Sequence, residues 1–416
     1  MSHSPAPPSP GDLHDDQVIA LLRTGAHAAL LNAYFGDVEY RELCQLAKLA
    51  ATRRNSRGKW VFILPGIMGS RLGSTHRKAS NLLWLHPTAV ANGGLMQLAL
   101  PGTRALRALG VMLPGYLKLR LSLEVAGFRP VFHPFDWRLD LERLGRAFAG
   151  TLENVGAGKV LVVAHSMGGL VARAALAQDR KRRIGKLIQL GAPNEGSYAP
   201  VQALRAVYPT VRKLAALDHD GHSAEQLARE VFRTLPGLYQ MLPAAQNPGD
   251  CDFFDAATWP DDGLAPDAKL LARAARVHDK MPAADGRCAA IVGIDQETIT
   301  SASIHDGGIE YTIRRDGDGT VPCSRARWAD APTWFVAENH GALTNNNAVL
   351  GAVIDILKSG DSSRLSNAPP QPPSAVVRRV NDQQLRAAAA RKVHWETLSL
   401  DSRRRILEPV ISPEFG

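Results

Sequence analysis

The 416-residue sequence predicts an α/β domain, a mostly parallel central sheet with helices on both faces and helical cap insertions. Three observations predict it. Short apolar runs rich in β-branched residues alternate with stretches of helical spacing, as expected of strands buried on both faces. One run, residues 160–163, stops at Ala164-His165-Ser166-Met167-Gly168-Gly169 and passes at once into helical spacing at Leu170, Val171, Ala174 and Leu176. The Gly-rich and polar motifs collect at the carboxyl ends of these runs, where parallel sheets bind ligands.

Taken in order, residues 1–14 are Pro/Ser-rich and are expected to be disordered. Residues 15–57 read as two or three short helices, with Val18, Leu21, Leu22, Leu30, Tyr34, Leu43 and Leu46 as apolar positions. The sheet domain spans 58–358. Its first strand, 60–64, runs into Pro65-Gly-Ile-Met-Gly-Ser70. An insertion over about 71–127, carrying Leu82, Leu83, Trp84 and Leu85, is read as part of a cap. A strand at 129–133 leads into Pro134-Phe-Asp-Trp-Arg138 and a helix over 139–153. After the strand at 160–163, another at 186–190 ends in Gly191-Ala-Pro-Asn-Glu-Gly-Ser197. A second cap insertion occupies about 200–287, with helical patterns over 201–217 and 224–235. Strands at 289–293 and 333–336 and an apolar helix at 349–357 complete the domain. Residues 359–380, rich in Gly, Ser, Asp and Pro, read as a linker, and 381–416 as a basic helical tail.

With 45% hydrophobic and 21% charged residues the chain falls in the soluble globular class. No stretch reaches the roughly 18 apolar residues of a spanning helix. The first residues lack the basic and apolar regions of a secretion signal. Cys44, Cys251, Cys288 and Cys323 are scattered without pair or metal-ligand spacing, so a cytoplasmic setting is expected. The net charge of +9 includes basic clusters at 180–183 and 403–405. These are read as solvated faces, with peripheral membrane contact as the other reading. No aromatic-interleaved basic strand accompanies them, and no nucleic-acid partner is expected.

A strand, sharp turn and helix around Ser166 form a nucleophile elbow, which lifts one hydroxyl above the sheet. The plain reading is a helix that begins with a serine and two glycines. A serine hydroxyl needs a base, and the base a group to orient it. In the chain order Ser, acid, His, the acid comes from Asp316-Gly-Asp-Gly-Thr-Val-Pro322 and the base from Glu338-Asn-His-Gly-Ala342. Ser166 is thus assigned as nucleophile, His340 as general base and acid, and Asp318 as the orienting carboxylate. Asp318 is preferred to Asp316 because Gly-Thr-Val-Pro follows it; its plain reading is a turn-capping carboxylate. His165 neighbours the nucleophile but is expected to point away from the hydroxyl, and His305 precedes the acid. The oxyanion donors are assigned to the backbone N–H groups of Ile67 and Met167. No metal or organic cofactor is implied.

Together, Pro65-Gly-Ile-Met-Gly-Ser70, Phe135-Asp-Trp-Arg138, Ala164-His-Ser-Met-Gly168, Gly317-Asp-Gly-Thr-Val321 and Asn339-His-Gly341 resemble the lecithin:cholesterol acyltransferase family. That family includes lysosomal phospholipase A2 and related bacterial lipases of the α/β-hydrolase fold. The resemblance spans about 58–358 and takes in Tyr239-Gln-Met-Leu-Pro243. It implies the same triad and oxyanion donors, and an acyl-enzyme formed from a lipid or other carboxylic ester and passed to water or an alcohol. Ile67 stands where the lysosomal phospholipase is acidic, so specialisation for acidic pH is not carried over. The disulfides of the secreted and lysosomal members have no counterpart in the cysteine placement. The expected function is hydrolysis of carboxylic esters with apolar or lipid-like acyl groups, with O-acyl transfer as a branch. A thioesterase or amidase on the same fold, and a non-catalytic scaffold with a basic tail, remain the alternatives.

Overall fold

The computed structural model describes residues 13–53, 57–76, 79–102, 105–156, 158–245, 250–305, 308–371 and 375–387. Its strands are β1 (Trp60–Leu64), β2 (Ser70–His76), β3 (Ala79–Trp84), β4 (Arg107–Val111), β5 (Arg129–Phe132), β6 (Val160–His165), β7 (Ile184–Leu190), β8 (Cys288–Ile294), β9 (Glu297–His305), β10 (Gly308–Arg315), β11 (Thr333–Ala337) and β12 (Arg378–Asn381). Six of them make one parallel sheet in the order β11-β8-β7-β6-β1-β5.

The apolar runs are continuous because each strand feeds two cores. Along β6, Val160, Val162 and Ala164 enter one core, while Leu161 and Val163 enter the other. β1 divides in the same way, with Phe62 and Leu64 on one face and Val61 and Ile63 on the opposite one. A strand with polar residues on either face would leave them in a dry core.

The helices Leu141–Glu153 and Met167–Gln178 cover the first face. Asp140 starts the former by accepting the N–H groups of Glu142 and Arg143. The second face is covered by Leu113–Val125 and Asn347–Ser359, and by three N-terminal helices, Asp15–Thr24, Ala28–Phe35 and Asp37–Arg53. Buried Asp15 faces Arg71 and Arg120, and Lys118 meets Glu42 at 2.8 Å, docking the N-terminal helices on the domain.

Two readings of the sequence require correction. The segment 71–127 is not wholly a cap. It forms a small antiparallel sheet, β3-β2-β4, and its last part is the helix Leu113–Val125, which is apolar on most sides because it lies beneath other helices. Likewise the expected linker 359–380 is structured at both ends. Ser366 bridges Phe335, and β12 pairs with β10 in a third sheet, β12-β10-β9. Beyond it, Asp382–Ala387 is helical; the rest of the expected tail, like residues 1–12, lies outside the described residues.

The described residues of 200–287 form mostly short helices whose apolar side chains, among them Val201, Leu214, Leu238 and Val277, join the first core. Arg205, 1% exposed, ties this insertion to the C-terminal segment: its guanidinium meets Asp262 at 2.6 Å and Asp382 at 2.7 Å. Tyr311 of β10 also donates to Asp382.

Candidate active site

Ser166 follows β6 directly and has φ 54° and ψ −127°, a backbone conformation costly for any side chain bearing a Cβ. It precedes the helix Met167–Gln178, yet its side chain makes no capping hydrogen bond. Ser166 therefore does not serve as an N-cap, the usual role of a serine at a helix start. The turn is feasible because a methyl at position 168 would run into the main-chain oxygens of Pro65 and Leu64.

Asp318 and His340 arrive from the far side of the sheet, on the loops after β10 and β11. His340 Nδ1 lies 2.7 Å from Asp318 Oδ2, and the two residues are 4% and 1% exposed. The other carboxylate oxygen accepts the N–H groups of Thr320 and Val321 at 3.0 and 2.7 Å. One carboxylate oxygen of Asp318 thus caps its own turn while the other meets the imidazole of His340. The His340 N–H also donates to the Asp318 carbonyl at 2.8 Å. A carboxylate at Nδ1 selects the tautomer with the proton there and leaves Nε2 as the basic nitrogen.

Both groups come to the end of β6 through β7. The Ser166 N–H donates to Leu190 O, and the next residue, Gly191, sits against the pair. At φ 56°, a methyl there would lie 2.9 Å from Asp318 Oδ2 and 3.1 Å from His340 Nδ1. Sequence reasoning passed over this glycine, although its place at a strand end before Ala-Pro-Asn marks a tight turn.

The rejected candidates fall elsewhere. Asp316 has no hydrogen bond or ion pair with His340 among the described residues, and burial raises its carboxyl pKa above the usual value. His305 lies exposed at the end of β9. His165 is packed behind the site, its ring centroid 4.8 Å from that of His340. Its ring nitrogens face Tyr116 Oη at 3.0 Å and the His340 carbonyl at 2.9 Å. Burial, followed by the neighbouring His340, lowers its pKa to about 3.

Ile67 and Met167, the expected oxyanion donors, stand on the loop after β1 and at the first helical position after Ser166. Neither N–H has an acceptor among the described residues. The Phe-Asp-Trp-Arg motif steadies the first loop: the Phe135 N–H donates to Ser70 Oγ and Trp137 Nε1 to Ser70 O, each at 3.1 Å. Arg138 grips Asp136 through two nitrogens at 2.8 and 2.7 Å, so the motif is a brace rather than a ligand site. The second insertion closes over this corner. A methyl at Gly237 would come within 2.7 Å of Met167 Cε. Tyr208 of the same insertion is half-buried; desolvation raises its phenol pKa, and the nearby Asp318 charge acts in the same direction.

Residues 115–270 match the model of the lecithin:cholesterol acyltransferase family. This stretch includes Ser166 and most of the second insertion but ends before Asp318 and His340. No curated protein matches the sequence. Among solved structures, the chain is similar to the Tle4–Tli4 complex at 15% identity and a TM-score of 0.46, over 74% of this chain and 100% of that one. It is similar to Bacillus licheniformis lipase BlEst2 in its propeptide form at 14% identity and a TM-score of 0.42, over 77% of this chain and 53% of that one. Aspergillus fumigatus lipase B is similar at 13% identity and a TM-score of 0.35, over 86% and 62% of the two chains. The chain has the six-stranded parallel sheet and flanking helices of the α/β-hydrolase fold, and over residues 115–270 it is similar to the lecithin:cholesterol acyltransferase family.

Proposed function

We propose that the protein is a serine hydrolase that cleaves carboxylic esters of apolar or lipid-like acyl groups through an acyl-enzyme. The observation that carries the proposal is the buried Asp318–His340 pair, 2.7 Å apart, brought by Gly191 to the strained turn that holds Ser166. Ser166 Oγ attacks the ester carbonyl carbon while its proton passes to His340 Nε2, and Asp318 stabilises the resulting imidazolium. The Ile67 and Met167 N–H groups hold the negative oxygen of the tetrahedral intermediate. Collapse breaks the bond to the leaving alkoxide, which takes the proton from His340. Water or an alcohol then loses a proton to His340 and attacks the acyl carbon. The acid or new ester leaves, and Ser166 regains its proton.

An apolar acyl group is supported by the insertions, whose Trp84, Leu95, Leu238 and Met241 are buried in the same core as Met167. The free cysteines support a reducing compartment. The basic cluster at 180–183 precedes β7, at the end of the strands opposite Ser166. There Lys181 faces Glu153 and Arg182 faces Asp285, which supports a solvated surface rather than a membrane contact that presents the site to lipid.

A fluorophosphonate probe should label the wild-type protein once per chain, at Ser166, and leave Ser166→Ala unlabelled. Equal ester hydrolysis by the two proteins would end the proposal. A panel of nitrophenyl esters, phospholipids and acyl-thioesters, ranked by kcat/KM, then assigns the substrate class.

A further inference from the structure

The two ring nitrogens of His165 belong to a hydrogen-bonded chain whose every direction is determined. The His340 carbonyl can only accept, so at 2.9 Å it requires the proton on His165 Nε2. A neutral ring then leaves Nδ1 as a lone pair, and the Tyr116 hydroxyl, 3.0 Å away, must donate to it. With its proton so used, the Tyr116 oxygen is free to accept, and the Gly66 N–H donates to it at 2.8 Å. Tyr116 and His165 are 4% and 8% exposed, so water cannot replace these bonds cheaply. Burial also favours the neutral form of both side chains, raising the phenol and lowering the imidazole to about 3.

The ends of the chain are the parts that must stay in register. Gly66 lies against the nucleophile; a methyl on it would fall 2.9 Å from Ser166 Cβ and 3.3 Å from Oγ. The next residue is Ile67, whose N–H is assigned to the oxyanion. The other end is the main chain of His340, itself tied through its N–H to Asp318. His165 is also covalently next to Ser166. We propose that Tyr116 and His165 are positioning residues that lock the oxyanion loop to the main chain of the base, so that donor, nucleophile and imidazole are set as one unit. Neither touches the reacting atoms. The inference rests on the serine-hydrolase reading above.

Tyr116→Phe removes the donor to His165 and the acceptor for Gly66 while keeping the ring. It should lower kcat roughly tenfold with KM within about twofold, the loss expected when one fixed hydrogen bond no longer supports the transition state. His165→Phe removes both ends and should lose more. His165→Gln, whose amide N–H can reach the His340 carbonyl, should recover part of that loss. Fluorophosphonate should still label each variant to completion at Ser166, more slowly than wild type. On the unmodified protein, nitrogen-15 NMR of the histidines should place the His165 proton on Nε2 from pH 5 to 9, whatever the variants do. A proton on Nδ1, kcat within twofold of wild type for both Phe variants, or losses that follow melting temperature without rescue by Gln would each overturn the proposal. Failure of the wild type to label at Ser166 would instead overturn the hydrolase reading, and the NMR measurement would still judge the hydrogen-bonded chain.

Discussion

The two halves of the site are held by different physics. On the acid–base side, Asp318 is fixed by its own hydrogen bonds: two from the turn at Thr320 and Val321, one from the His340 ring and one from the His340 main chain. On the nucleophile side, Ser166 has no side-chain cap and a strained φ, and it is held by close backbone approach at Gly66 and Gly168. The first half is a network that can be weakened one bond at a time. The second is chiefly a steric fit around Ser166, with the hydrogen bonds of Gly66, Tyr116 and His165 behind it. The lesson is that like mutations should act unlike on the two sides.

The largest effects should come from taking the acid–base network apart. Asp318→Asn keeps the turn-capping oxygen but tends to invert the imidazole tautomer, and kcat should fall by about four orders of magnitude. His340→Ala should cost at least as much, because it removes the group proposed as the general base. Since triad members act as a unit, the double variant should be little worse than His340→Ala alone. Additive losses, measured by steady-state kinetics on an activated ester, would show that Asp318 serves the fold more than the imidazole.

Single methyl groups sharpen the contrast. Gly191→Ala adds a carbon 2.9 Å from Asp318 Oδ2 and 3.1 Å from His340 Nδ1, at φ 56°. Displacing the pair should lower kcat about 100-fold, the scale of a small misplacement in a reacting geometry. Gly168→Ala instead meets the main-chain oxygens of Pro65 and Leu64, which cannot rotate away. It should cost more melting temperature than Gly191→Ala, because the helix must part from the β1 turn. Calorimetry beside kinetics checks both; the reverse order of thermal losses would refute the division.

The same division explains what could be read from the residues. The elbow was legible because it is local: an apolar strand, a small-residue turn and a helix lie within about twenty positions. The pairing of Asp318 with His340 was legible through chain order and turn chemistry, and the places of Ile67 and Met167 after β1 and Ser166 through the element ends. Tyr116 was not. It looks like any core aromatic in a helix, and its partner is 49 residues away. Arg205 was equally opaque, since a fully buried guanidinium is acceptable only once Asp262 and Asp382, 57 and 177 residues distant, are known to meet it. The β9–β10 hairpin was the avoidable miss. Ile309, Tyr311 and Ile313 alternate and are buried, but the polar residues of β9 hid the period.

The smallest effect concerns histidines buried in neutral form. Burial holds His165 near a pKa of about 3 and His133 near about 4, against 6.5 unfolded, and shifts His278 in the same direction. Below pH 6.5 the unfolded chain takes up protons that the folded chain refuses, so stability is full above this value and declines as pH falls towards 4. Each such histidine adds about 1.4 kcal/mol per pH unit to the slope. Asp15 works in the opposite sense: burial raises its carboxyl above 3.8, so it favours the folded state as pH drops towards that value. Urea unfolding from pH 7 to 4.5 should therefore show decreasing stability, and His165→Gln should reduce the slope by about one proton. An unchanged slope would mean that the His165 ring takes up a proton within the folded protein, and the nucleophile half would then lose the neutral neighbour that its geometry requires.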